Sequence, residues 1–119
     1  MTNESPKRIF VYNADSGVFN LLSDAAHKNF SPQTYACNLC AITHSNFGMR
    51  KEWKDFLQTL ENPLEFLHAD EFKRKYNFNI KLPAIFTEKN GILALKIDAE
   101  KINQCQSIND LRAIIIVTA

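Results

Sequence analysis

The sequence predicts an α/β domain in which a mixed four-stranded sheet carries helices on its faces. Short runs of β-branched and aromatic residues alternate with segments whose apolar residues recur every three or four positions, and Asn90-Gly91 joins the last two of these runs. Strands separated by helices pair in parallel through right-handed crossovers, whereas a tight Asn-Gly turn joins antiparallel neighbours. We therefore expect both kinds of pairing in one sheet.

The composition fits a single globular domain. The 119 residues are 45% hydrophobic and 23% charged with a formal net charge of +1, so the chain can fold without disulfides or a structural metal. The absence of a dense basic run argues against a nucleic-acid partner. Every apolar run is far shorter than the roughly 20 residues that span a bilayer, and the polar start is unlike an export signal. We expect a cytoplasmic protein without membrane association, with a loose tail over 1–6 and one domain over 7–119.

The first half of the domain predicts a strand, a helix, an irregular stretch and a second helix. Residues 8–12 form a nearly continuous apolar run, which suits a central strand. Apolar residues at helical spacing follow over 18–28, whereas residues 31–50 show no sustained period and are expected to be irregular. The helix predicted over 51–60 has an apolar stripe that is expected to face the core, formed by Trp53, Phe56, Leu57 and Leu60.

The second half predicts three strands and two helices. The strands are expected over 64–68, 84–87 and 92–97. Asp70 is expected to cap a short helix over 71–76. Ser107 with Asp110 three residues later resembles a capping box, which predicts the start of the last helix.

This order of elements resembles the thioredoxin fold, a three-layer sandwich, and is most similar to its glutaredoxin branch. The strand over 8–12 and the turn after it are similar to the first strand and active-site loop of glutaredoxins. Glutaredoxins carry their reactive cysteine in that loop, whereas residues 16–20 contain none. Ser16 and Gly17 lie where the strand meets the predicted helix, so they either cap that helix or form an anion site for a substrate through free backbone N–H groups.

Two further segments carry the resemblance. Leu82 and Pro83, followed by a strand and the Asn-Gly hairpin, are similar to the proline, third strand and hairpin of the thioredoxin fold. The resemblance implies that Pro83 is cis and that its backbone flanks the active-site sulfur. Residues 104–111, which include Cys105, resemble the loop and helix start that in glutaredoxins hold one end of glutathione.

The motif that points to chemistry is Cys37-Asn-Leu-Cys40, within what resembles an insertion over residues 30–62. Two cysteines three residues apart close a small disulfide or bind one metal ion, and the thiolate is the reactive form in both cases. His44 is a base that helps to ionise a thiol, a third metal ligand or a solvated loop residue. Cys105 is either a further member of the site or a small buried hydrophobe.

These residues leave three readings of function. The first is a thioredoxin-like redox protein without a cofactor, in which Cys37 and Cys40 exchange with a disulfide of a protein or small molecule. The second is a zinc-type site with Cys37, Cys40 and either His44 or Cys105 as ligands, and the third is a non-catalytic adaptor on the same scaffold. Both motif cysteines are expected in a partly exposed loop, because they lie outside any apolar pattern. The oligomeric state is not specified by the sequence.

Overall fold

A computed structural model describes residues 6–13, 38–45, 48–77 and 79–118. Its main sheet has four strands, which are β1 (Lys7–Val11), β4 (Leu64–Leu67), β5 (Ala84–Lys89) and β6 (Ile92–Ile97). Two further strands of two residues each, β2 (His44–Ser45) and β3 (Gly48–Met49), form a separate antiparallel ribbon. The four strands of the main sheet lie where the sequence predicts them.

The sheet is mixed, as predicted. The strand order is β4-β1-β5-β6. The central strand β1 pairs in parallel with β4 and antiparallel with β5, and β5 pairs antiparallel with β6. A parallel pair needs a long crossover, which here is the chain between β1 and β4 that carries the cysteine motif.

Five helices are described: α1 (Asn38–Thr43), α2 (Lys51–Gln58), α3 (Ala69–Tyr76), α4 (Ala99–Gln104) and α5 (Ile108–Val117). The predicted irregularity over 31–50 is wrong for α1, which forms a six-residue helix. The prediction of Asp70 as a helix cap is also wrong, because α3 begins earlier and its N-cap is His68. The helix predicted over 18–28 lies outside the described residues. None of the described helices is long and apolar enough to cross a membrane.

Each face of the sheet has its own apolar core. Phe10 and Ile85 on one face pack with side chains of α2 and α5, including Trp53 and Leu111. On the other face, Ile9, Val11 and Phe86 pack with Phe72 of α3. The alternation along β1 therefore sends successive side chains into different cores, as expected for a strand covered on both faces.

Local backbone signals in the sequence are confirmed in the second half. Asn90 and Gly91 have φ values of 56° and 81°, which is the left-handed geometry that a tight hairpin requires at both central positions. The Leu82-Pro83 peptide is cis. The Ser107 hydroxyl accepts a hydrogen bond of 3.2 Å from the Asp110 backbone N–H at the start of α5, so the predicted Ser107 cap is correct.

Candidate thiol site

Cys40 lies in α1 and is buried, with 1% of its surface exposed. It belongs to the same apolar cluster as Phe10 and Tyr12 of the central strand. The expectation of a partly exposed loop is therefore wrong for Cys40. The motif lacked an apolar period because α1 is too short to show one, and free cysteine packs as a small hydrophobe. Cys37, the other cysteine of the motif, lies outside the described residues.

The start of α1 is anchored to α4 by the side chain of Asn38. Its amide Nδ2 donates hydrogen bonds to the carbonyl oxygens of Ile102 (2.8 Å) and Cys105 (2.9 Å). These two carbonyls belong to the last turn of α4 and its C-cap. The Ile102 carbonyl also accepts from the Cys105 backbone N–H at 3.0 Å, so the Asn38 amide adds a second hydrogen bond there and one to the Cys105 carbonyl. Together they fix the start of α1 against the end of α4.

His44 follows α1 directly and is held in one tautomer. The Thr43 hydroxyl donates its single proton to the Leu39 carbonyl at 2.7 Å, so at 2.8 Å it accepts a proton from Nδ1 of His44. Burial lowers the pKa of His44 to about 4, and the charges of Arg50 and His68 add to this effect. His44 is therefore a neutral imidazole at neutral pH, with Nε2 as its basic nitrogen.

Tyr12 stands between two histidines at the end of β1. Its ring meets the His44 ring edge to face at a centroid distance of 5.7 Å and lies 6.0 Å from the His68 ring. His68 is fixed in turn by Glu71, whose Oε1 accepts hydrogen bonds from the His68 backbone (2.8 Å) and from its Nδ1 (2.7 Å). The backbone bond, followed by the side-chain bond, lowers the pKa of the Glu71 carboxyl.

Sequence reasoning attached no role to His68 and Tyr12. His68 was visible only as a histidine near a strand end, and the one available signal was Glu71 three residues later, the spacing of a capping box. Tyr12 was counted with the central strand because its ring continues the apolar run. Their proximity to His44 depends on the pairing of β1 with β4, which local patterns do not specify.

Pro83 lies at the same edge of the sheet as this cluster. The register of β1 with β5 ends at Val11 opposite Ala84, so the next pair along the two chains is Tyr12 and Pro83. Pro83 therefore lies beside Tyr12 at the end of β1.

Cys105 is a buried thiol, with 6% of its surface exposed. Burial raises its pKa, and the nearby Asp110 carboxylate raises it further. Its Sγ lies 3.6 Å from the carbonyl oxygen of Lys101. Of its two predicted roles, the small buried hydrophobe is the one its surroundings fit, because a raised pKa disfavours the thiolate that a reactive or metal-binding cysteine needs.

An open groove of about 370 Å³ runs beside α1. Its walls include Asn38 and Ile42 of α1, Arg50 before α2, and Gln106, Ser107 and Asn109 around the start of α5. The segment over 104–111, predicted from the resemblance to hold part of a substrate, therefore contributes one wall. Asn38, one of the two residues between the cysteines of the motif, lines the groove.

Several of the site residues predicted from the sequence lie outside the described part of the chain. Ser16 and Gly17 lie outside the described residues, as does Cys37. Within the described part of the chain, no group of three or more His, Cys, Asp or Glu side chains is arranged to hold a metal ion. The zinc-type alternative therefore depends on Cys37.

Comparison with known proteins leaves the chain without assigned relatives, because no family model, curated protein or solved structure matches it. The described residues define the class, which is an α/β protein with a mixed four-stranded sheet and helices on both faces. Two histidines, a tyrosine and a cis proline lie where β1 ends, and the buried Cys40 lies in α1, the helix that ends just before His44.

Proposed function

We propose that this chain is a thioredoxin-like protein that exchanges thiols and disulfides through Cys37 and Cys40. The strand order β4-β1-β5-β6, with β1 parallel only to β4, supports the thioredoxin-like assignment. So does the division of the helices, with α2 and α5 on one face of the sheet and α3 on the other. The observation that carries the activity is the burial of Cys40 in α1, three residues after Cys37.

Burial assigns different roles to the two cysteines. Thiol-disulfide exchange requires a thiolate with access to the disulfide that it attacks. Cys40 is 1% exposed, so it does not meet a disulfide from solution and is suited to resolve an intermediate held next to it. Cys37 is therefore assigned the attacking role, because Cys40 is too deeply buried to meet the substrate first.

The exchange then proceeds in two balanced steps. The Cys37 thiolate attacks one sulfur of the substrate disulfide, forms a mixed disulfide and releases the other substrate sulfur as a thiolate, which takes up a proton. The Cys40 thiol then loses its proton, attacks the Cys37 sulfur and releases the second substrate thiol. The substrate gains two electrons, the protein retains a Cys37–Cys40 disulfide, and a dithiol reductant restores the starting state.

His44 is the proposed acceptor of the Cys40 proton. His44 directly follows α1, the helix that carries Cys40, and Thr43 holds the imidazole with Nε2 as its basic nitrogen. Burial keeps the pKa of His44 at about 4, so the imidazole is neutral at neutral pH and has a nitrogen that can take up a proton.

We assign the groove beside α1 as the binding site for the part of the substrate that surrounds its disulfide. Its walls combine polar side chains with apolar ones, and the polar set includes Arg50, Glu52, Gln106 and Asn109. The amides of Gln106 and Asn109 can donate and accept hydrogen bonds as a peptide backbone does. A disulfide that carries peptide groups, from a protein or a small peptide, is therefore the proposed substrate.

Reduction of insulin disulfides in the presence of a dithiol tests the proposal. The wild-type protein is expected to accelerate reduction, Cys37→Ser to abolish the acceleration and Cys40→Ser to stop turnover. Cys105→Ser is the matched control and is expected to retain activity. An inactive wild type, or activity in Cys37→Ser, would contradict the proposal. Zinc bound by the wild type and lost in Cys37→Ser would replace it with the metal-binding reading, and three inert, metal-free thiols would leave the adaptor.

A further inference from the structure

Arg8 is a buried cation whose hydrogen-bonding capacity is unused. It lies in the central strand β1 with 1% of its surface exposed. Its Nε and Nη1 atoms are buried and have no hydrogen-bond partner in the described part of the chain. Burying a charge whose N–H groups have no acceptor costs free energy, and a guanidinium cannot avoid that cost by losing its proton. A buried Arg without acceptors therefore requires a physical explanation.

The sheet itself separates Arg8 from nearby acids. Lys7, the preceding residue, points to the opposite face and pairs with Glu65 (2.8 Å) and Glu88 (3.2 Å). Arg8 instead shares the face of Phe10, where its strand partners are Leu64 and Thr87. Burial lowers the pKa of Arg8 without an opposing contribution from a carboxylate. The two adjacent cations therefore differ completely in their electrostatic surroundings.

A second hydrogen-bond donor without an acceptor among the described residues lies on the same face of the sheet. The indole N–H of Trp53 is buried without an acceptor among the described residues. The Trp53 ring meets Phe10 edge to face at 5.7 Å, and Phe10 is two residues from Arg8 on the same side of β1. Arg8 and Trp53 thus both have hydrogen-bond donors without acceptors on this face of the sheet. The acceptor that best complements a guanidinium is negatively charged.

We propose that Arg8 binds an oxyanion, a carboxylate or phosphate group, between the sheet and α2. Arg8 is at the start of β1 and Tyr12 follows its end, so the two lie about 13 Å apart at the usual rise of an extended strand. The anion site is therefore separate from the proposed thiol chemistry and does not depend on it.

The route by which an anion enters is the irregular connection between α2 and β4. This connection, residues 59–63, adjoins the start of β1, where the Pro63 carbonyl accepts from the Arg8 backbone N–H at 2.8 Å. It is held by fewer backbone hydrogen bonds than the sheet, so it opens at a lower free energy. A small anion reaches the guanidinium when this connection shifts.

The test follows unfolding by urea at constant ionic strength while sodium chloride is replaced by sodium acetate or sodium phosphate. Above the dissociation constant, each tenfold rise in the binding anion should lower the unfolding equilibrium constant of the wild type about tenfold. Arg8→Met should lose this response, and Lys7→Met, on the other face of the same strand, should keep it. A response to acetate alone assigns a carboxylate, and a response to phosphate alone assigns a phosphate group.

A measurement on the unaltered protein covers the case in which Arg8→Met fails to fold. The ¹⁵Nε signal of Arg8 should shift saturably with the same anion, while those of Arg50, Arg74 and Arg112 should not. Equal responses of the wild type and Arg8→Met would overturn the proposal. So would a wild type that responds to neither anion, which would mean that only water occupies the space beside Arg8.

Discussion

The rings of Tyr12 and His44 meet edge to face with their centroids 5.7 Å apart. This contact joins the end of the central strand to the end of α1, the helix that carries Cys40. It also helps to enclose the imidazole, whose pKa burial lowers to about 4. The charge state of His44 is therefore linked both to folding and to the proposed thiol chemistry.

The stability of the protein should fall as the pH is lowered from about 6.5 to about 4. Unfolding restores the pKa of His44 to its ordinary value near 6.5, so in this window the unfolded chain binds more protons than the folded one and acid favours unfolding. One pKa unit corresponds to about 1.4 kcal/mol, so His44 accounts for up to about 3 kcal/mol of the loss. Urea unfolding at a series of pH values measures it.

The variant His44→Gln is the control for this titration, because its side chain cannot be protonated. It should show a smaller loss of stability over the same pH range. A His44 imidazole that titrates near 6.5 in the folded protein, followed by NMR, would contradict the described burial of this residue.

Replacing Arg8 with Met should raise stability in buffer free of oxyanions. The substitution removes a buried charge that has no hydrogen-bond partner among the described residues and leaves an apolar side chain of similar length, so the free-energy cost of burying the charge is removed. Lys7→Met should instead lower stability or leave it nearly unchanged, because it breaks ion pairs with Glu65 and Glu88. A large loss of stability in Arg8→Met would mean that the guanidinium has an acceptor in the folded protein.

The amide of Asn38 should stabilise the packing of α1 on α4. Asn38→Ala removes the donors to the carbonyls of Ile102 and Cys105 and is expected to cost about 1 to 3 kcal/mol. Asn38→Asp should cost more, because a carboxylate then faces two carbonyl oxygens. Asn103→Ala, at an exposed position of α4, is the matched control and should change the free energy of unfolding by less than about 0.5 kcal/mol. Equal effects of the Ala and Asp variants at position 38 would argue against the two hydrogen bonds.

One of the three thiols should react rapidly in the native protein. Cys40 and Cys105 are 1% and 6% exposed, so a small disulfide reagent should reach them only after unfolding, whereas Cys37 is the proposed attacking residue. Counting the thiols that react before and after addition of denaturant measures this. Rapid reaction of two or three native thiols would contradict the described burial.

Strong local signals made much of the fold predictable. The strand pattern, the Asn90-Gly91 turn and the Ser107 cap each depend on a few adjacent residues, and all three are confirmed. The helices α1 and α4 were missed because six residues are too few to establish a helical period. Asp98 before α4 was the one local sign, and it does cap that helix by accepting from the Lys101 N–H at 3.0 Å.

The contacts within the candidate site could not be predicted from local sequence patterns. The contacts of Tyr12 with His44 and His68 exist because the ends of β1, α1 and β4 meet at one edge of the sheet. The burial of Arg8 was equally hidden, since a basic residue at the start of a strand is usually exposed. In both cases the pairing of strands distant in sequence decides the environment of the side chain.

The most direct measurement of the central claim is the fate of Cys37 after reaction with a disulfide substrate, followed by mass spectrometry. In Cys40→Ser, Cys37 should retain a mixed disulfide with half of the substrate, because the resolving thiol is absent. In the wild type, the adduct should disappear and leave a chain about 2 Da lighter than the reduced protein, with Cys37 joined to Cys40. A mixed disulfide on another cysteine, or a wild-type adduct that never resolves, would contradict the account.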